Sequence, residues 1–302
     1  MAGETYTGNI PQAIRDVYSR EIIYAATPNL KFAQFAKQRT DLSVEPGGTI
    51  KFTKFNNLTK GGKLTESVSI VPKAMGTSEV SISVDEYGNA VKVSEKSLKF
   101  SMHNVLQEGA VLLAKDMAQV LDEEIRDTAL STTNFVYANG RATAGALEAG
   151  DVFDTTIVKD TAEALSGNNA PKIGGEYYIC IAHPHQLRQL RDDSDWINVH
   201  SYQGVEQVYR GEVGMYEGVR FIETTQMIKN EDYQTLAKYG VNLASWEAVM
   251  FGENSFAWAV GQDVEMRDNV IEDFGRLHGI AWYAMWGFGL IEEDNIFVML
   301  SV

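Results

Sequence analysis

The chain has 302 residues, and 26 Lys plus Arg against 41 Asp plus Glu give it a formal charge of −15. That charge repels phosphate, and no basic cluster supplies the cations that dominate nucleic-acid affinity, so sequence-specific nucleic-acid binding is disfavoured. The 44% hydrophobic fraction is ordinary for a globular protein and can fill one large core or two modest ones.

Residues 1–45 read as an N-terminal arm of two short helices broken at Pro28. The first starts at Pro11 and carries Ile14, Val17, Tyr18 and Ile22 at helical spacing, with proline suited to a first turn. The second carries Leu30, Phe32 and Phe35. Neither is long enough to be stable alone, so both are expected to dock on something. The N-terminus lacks the basic and apolar regions of a signal peptide, and the longest apolar stretch, 279–291, falls short of the about 20 residues that span a bilayer. Synthesis in a cytoplasm and no membrane partner are the expectation, which leaves the sequon at Asn57 uninformative.

Over 46–95 the periodicity becomes two. Ile50 and Phe52 alternate with Lys51 and Thr53, and Val80, Ile82, Val84, Val91 and Val93 continue the pattern beyond the tip Lys60, Gly61, Gly62, Lys63 and Leu64. Such alternation marks strands with one wet face, and Tyr87-Gly88-Asn89 marks a bend. A two-stranded ribbon is marginal in water, so this extended loop is expected to lie on another molecule.

Residues 96–150 contain the longest helical pattern, 101–130. Met102, Val105, Leu106, Leu113, Met117, Val120, Leu121 and Ile125 form one stripe, with Leu106, Leu113, Met117 and Leu121 as its core. Roughly thirty residues at this pitch make a rod of about 45 Å. Gly109 weakens it by about 1 kcal/mol relative to alanine, a cost explained if a neighbouring backbone approaches there. Residues 134–150 are Gly/Ala-rich and read as a linker.

Residues 151–261 alternate in α/β fashion. Asp154 caps a helix bearing Ile157, Val158 and Leu165 that Gly167 ends. A strand at 177–182, a short helix from Pro184 with Leu187 and Leu190, and strands at 219–222, 248–251 and 256–260 follow. Cys180, the only cysteine, lies within the first of these strands and reads as a buried thiol. Residues 262–302 return to extended chain, with 280–291 apolar on both faces and a turn at Glu293-Asp294-Asn295. Tyr283, Trp282, Trp286 and Phe288 read there as sheet core.

Catalytic constellations are weak. His183 and His185 suggest a metal site with His200 or with Asp192, Asp193 and Asp195, but Pro184 between them starts a helix and splays the rings. The acidic run lacks the mid-loop glycine and final glutamate of a calcium loop and reads as a solvated turn. There is no G-x-G-x-x-G, phosphate loop or G-x-S-x-G; Gly211, Gly214 and Gly218 read as turns around short strands. No nucleophile, base and orienter assemble. Neither a catalytic residue, a cofactor nor a metal is therefore expected.

This order of arm, long β loop, spine helix, α/β insertion and terminal strands that rejoin the spine resembles the major capsid protein of tailed bacteriophages, an α+β arrangement known as the Hong Kong 97 fold. Pro46-Gly47-Gly48-Thr49-Ile50-Lys51-Phe52 looks like the rising strand of its extension loop. Ile181-Ala182-His183-Pro184-His185-Gln186-Leu187-Arg188-Gln189-Leu190 looks like the strand-to-helix step of its axial domain, and Gly218-Val219-Arg220-Phe221-Ile222-Glu223-Thr224 like a later strand there.

The resemblance implies a self-assembling icosahedral shell subunit in the virion capsid, a homo-oligomer of hexamers and pentamers. Its peripheral domain would be 96–150 and 262–302, its axial domain 151–261. The loop tip, residues 60–64, would contact a neighbouring subunit. A separate scaffolding protein follows from the short arm; a portal, a possible decoration protein and packaged double-stranded DNA contacted non-specifically complete the implied partners. Some relatives crosslink through a loop lysine, an asparagine and a glutamate. Lys60 or Lys63 fits the first role but the others have no assignable counterpart, so a solvated tip is preferred. Two other readings stand beside it: an encapsulin-type nanocompartment shell, and a metal-dependent α/β enzyme built on His183 and His185.

Overall fold

The computed structural model describes residues 31–40, 48–55, 58–63, 69–70, 72–100, 105–197, 212–227, 229–230, 243–268 and 275–302. The expected helix from Pro11 and the start of the spine at 101–104 lie outside them, as do Leu64 and His200.

Two sheets organise the chain. The first has the order β1 (Lys37–Arg39), β11 (Phe256–Asp268), β12 (Leu277–Leu290), β4 (Asp85–Ser94). Strand β1 runs parallel to β11, while β11–β12 and β12–β4 are antiparallel. After β4, Ser94 Oγ accepts the Ser97 amide at 3.2 Å and opens a short helix, α1 (Glu95–Phe100). The spine helix α2 (Val105–Ala129) then lies across this sheet, contacting β12, β4 and β11.

The predicted stripe is the buried face. Leu113, Met117, Leu121 and Ile125 are buried and Leu106 is half-buried. The sheet contributes Trp282 and Trp286 to the same core, both buried, with stacked rings 5.6 Å between centroids. Trp282 and Trp286, with Phe288 packed against them, are thus sheet core, whereas half-buried Tyr283 falls outside it, under the Arg267 guanidinium. Gly109 differs from expectation. The nearest atoms to an added Cβ are the side chains of Ile280 and Val91, at ordinary contact distance of 3.9 Å, so no backbone crowds it.

The second sheet has the order β5 (Phe135–Tyr137), β13 (Ile296–Ser301), β10 (Ser245–Phe251), β6 (Tyr178–Ala182), β8 (Val219–Glu223), β7 (Glu212–Tyr216), with β9 (Lys229–Asn230) on β10. Strand β6 is a continuous apolar run because both its faces are covered, and β10 is apolar over Ala248–Phe251 after the buried Glu247. Cys180 is fully buried there, and burial pushes its thiol up. Gly218, at φ +73°, makes the tight turn between β7 and β8.

Helix α3 (Thr155–Gly167) starts as predicted, with Asp154 Oδ1 accepting the Thr156 and Ile157 amides at 3.1 and 3.0 Å. The left-handed residue that ends it is Asn169, at φ 57°, rather than Gly167. Helix α4 (Pro184–Asp192) is capped by His183.

Four expectations are corrected. Residues 31–36, expected to be helical, form a turn, held because Asp122 of α2 accepts the amides of Lys31 and Phe32 at 2.9 and 2.7 Å. The 134–150 linker includes β5, parallel to β13, and is pinned by Asp151, which accepts from Arg141, Asn139 and the Glu148 amide. The division at 261/262 falls inside β11. Finally, β13 does not rejoin the spine but pairs with β10 and β5, because its residues are buried on both faces.

Candidate assembly surface

The extended loop is built from β2 (Thr49–Phe55) and β3 (Thr77–Ser83), antiparallel in register from Thr49↔Ser83 to Phe55↔Thr77. Its β-period places Ile50, Phe52 and Ile82 on one face, buried together with Ala257 and Ala259 of β11. The base therefore rests on the chain's own sheet, correcting the expectation that the whole ribbon needs another molecule. Residues 85–94 leave it entirely, as β4.

Glycine makes this docking close. A Cβ at Gly289 would stand 2.7 Å from Ile82 Cγ1, and one at Gly287 would collide with the Ser83 carbonyl oxygen. Sheet and ribbon interlock only because both positions lack side chains. The Arg39 guanidinium lies 5.8 Å from the centroid of Phe52, and Lys54 pairs with Glu292, so the base is also held at its rim.

Beyond the base the ribbon is unsupported by the described residues. Phe55, Leu58, Ile70 and Met75 are 68, 57, 69 and 72% exposed. Four large apolar side chains on one projecting element mark an interaction surface. Lys60, Gly61, Gly62 and Lys63 are exposed, and an added Cβ at either glycine meets open space. A residue the sequence did not flag orders the tip: Lys73 Nζ donates to the carbonyls of Thr59 and Lys60 at 2.9 and 3.1 Å. Lys73 thus fastens the tip from within the loop, and Lys60 and Lys63 stand exposed on it.

The histidine pair has structural work. His183 Nδ1 accepts the His185 amide at 3.1 Å, and the Gln186 side chain returns to the His183 amide at 3.4 Å, closing a capping box. Both rings lie on Trp246, with centroids 4.1 and 4.9 Å away. The pair thus caps α4 and packs on the indole, a structural role that accounts for both residues without a metal. Among the described residues no group of three His, Cys, Asp or Glu is placed to hold a metal.

Asp193 is not simply solvated. Its Oδ2 accepts the Thr155 amide and hydroxyl at 2.9 and 2.7 Å, tying α4 to the start of α3. Burial opposes its charge, but these bonds and one from the Asp195 amide outweigh it and hold the carboxyl below the usual range. At Asp122 the balance reverses. Burial outweighs the bonds from Phe32, Lys31 and Ala33 and the nearby Arg126, and raises its pKa.

A two-sheet body with a long spine helix and an apolar β ribbon defines a fold of the Hong Kong 97 type. A sequence profile of the family described as phage capsid protein matches residues 77–298, and the chain belongs to that family. Solved structures agree in fold. The chain is similar to a protein of the Cyanophage Pam1 capsid asymmetric unit at TM-score 0.71 and 14% identity, covering 88% of each chain. It is similar to the capsid of Ralstonia phage GP4 at 0.69 and 15%, covering 88% of this chain and 87% of that one. For the capsid structure of Cyanophage P-SCSP1u the values are 0.69 and 18%, with 89% and 87% covered. No curated protein matches the sequence. Among the described residues no helix is long and apolar enough to cross a membrane.

Proposed function

We infer that this phage capsid protein is the subunit that tiles the head of a tailed phage, acting structurally rather than as an enzyme. The observation that carries the reading is the ribbon: its base is locked to the chain's own sheet, while Phe55, Leu58, Ile70 and Met75 are presented outward. Burying them on adjacent subunits is the most direct use of that apolar surface. The four-stranded sheet and α2 would form the peripheral domain, and the seven-stranded sheet the axial domain at the centre of each hexamer or pentamer. The loop tip, residues 60–64, would reach the neighbour.

Repetition supplies stability to such a shell. Contacts of ordinary interface size, about 1,600 Å² in total, suffice when every subunit makes several. A separate scaffolding protein and a portal would direct closure. The net charge of −15 suits a wall past which double-stranded DNA slides without sticking. The family match favours a virion over a nanocompartment.

Sedimentation velocity over a concentration range, with electron micrographs of any fast fraction, tests this. Shells or rings of five and six are expected. A chain lacking residues 57–75 should keep its melting transition but lose those species; unfolding on deletion would refute the loop's role.

A further inference from the structure

Opposite edges of the four-stranded sheet carry opposite charge. Strand β1, at one edge, is fully exposed and presents Lys37 and Arg39. Beside it, Lys51 and Lys54 of β2 complete a groove of about 310 Å³ floored by Ile50, Phe52, Val80 and Ile291. Four cations around one groove stand out in a chain with 15 more acids than bases. Two of them already have acidic neighbours, Glu79 for Lys51 and Glu292 for Lys54. On β1, Lys37 Nζ donates to the Asn254 side chain at 2.8 Å, and Arg39 lies over Phe52 among its contacts.

At the other edge β4 begins with Asp85 and Glu86, both exposed. The registers place these groups on nearly one row. Arg39 is opposite Ala259, Ala259 opposite Gly287, and the adjacent Trp286 opposite Asp85. Three strand spacings separate the two edges, about 14 Å. Tyr87 on this strand has its pKa pushed up to about 12, by burial first, then by Glu124 of α2, with Asp85 adding to it.

We propose that the Lys37–Arg39 edge of one subunit receives the Asp85–Glu86 edge of a second copy of this chain. The inference rests on the capsid reading and names a contact within it. Complementary charge on two different surfaces makes the contact heterologous, and heterologous contacts propagate head to tail and close into rings when the rotation permits. An isologous pairing would instead set like charges face to face, which complementary interfaces avoid.

The test uses three full-length variants: K37E/R39E, D85K/E86K and the fourfold swap. Each is expressed alone and together with the neighbouring genes of its source genome, and circular dichroism and melting check that each folds as the wild type does. Each double variant should assemble at least roughly tenfold less readily at low salt, the scale of like-charge juxtaposition. An equimolar mixture of the two double variants should regain six-membered rings, in which the variants alternate and every contact pairs opposite signs, and the fourfold swap should regain assembly as a whole. Double variants that assemble as well as the wild type would overturn the pairing while leaving the capsid reading intact. So would folded double variants that neither mixing nor the swap rescues. A wild type that forms no larger species under either condition would overturn the capsid reading and the pairing with it.

Discussion

Trp282 Nε1 donates a 2.9 Å hydrogen bond to Asp116 Oδ2, fastening the central strand β12 to the spine helix. The same oxygen accepts Asn89 Nδ2 at 3.0 Å from β4. One carboxylate on α2 therefore sets the position of two strands, and its partner indole is otherwise buried in the core. Replacing Asp116 with alanine leaves that indole N–H unpaired. A loss of about 1–3 kcal/mol is expected, seen as a lower denaturant midpoint with unchanged slope. A variant as stable as the wild type would show that the sheet is held by apolar packing alone.

What the sequence disclosed depended on how local each signal was. Asp154 before an apolar helical pattern, and Pro184 after a buried strand, are cap signals readable within a few residues, and both helices start there. The stripe containing Leu113, Met117 and Leu121 was legible because a single period repeats along α2. Strand β1 was not, since Lys37-Gln38-Arg39 has no alternation and exists only through pairing with residues 257–259. The turn at Phe32 depends on Asp122, 90 residues away. At the loop the tip residues were named, but Lys73, which fastens them, approaches from the returning side of the loop and leaves no pattern nearby.

Gly109 offers a stabilising change. It sits inside α2, where glycine costs about 1 kcal/mol relative to alanine, and an added methyl there would have its nearest side-chain neighbours at 3.9 Å. Gly109→Ala should raise stability by about 0.5–1 kcal/mol, read from chemical denaturation. A destabilised variant would mean that the helix and sheet approach more tightly than ordinary contact.

Leu113 lies at the centre of the buried stripe. Leu113→Ala removes apolar volume between helix and sheet and should cost about 2–5 kcal/mol. Leu113→Pro also breaks the helix backbone and should abolish soluble protein. Recovery of the proline variant with wild-type melting would contradict the spine's role.

Gly289 tests the ribbon's seat. A valine there would drive its side chain into Ile82, already 2.7 Å from a bare Cβ. Overpacking of this kind costs about 1–3 kcal/mol, but the strain falls on the ribbon, which can lift off. Gly289→Val should therefore keep the body folded, expose the β2–β3 base to protease and impair assembly. Unchanged proteolysis would place the flexibility elsewhere.

Asp122 supplies a pH signature. Burial raises its pKa in the folded chain, so between the unfolded value near 3.8 and the higher folded value the native state binds the extra proton. Stability contributed by this group is accordingly greatest at low pH and declines as pH rises through the folded pKa. Asp122→Asn keeps an oxygen to accept the Lys31 and Phe32 amides and removes the buried charge. It should match or exceed wild-type stability at neutral pH and lose this part of the pH dependence. Asp122→Ala leaves both amides without that acceptor and should cost about 1–3 kcal/mol, with residues 31–36 detaching first. Hydrogen exchange at the Phe32 amide separates the two: protection retained in the asparagine variant and lost in the alanine one is the expected pattern. Equal protection in both would show that the turn is held by the burial of Phe32 rather than by the carboxylate.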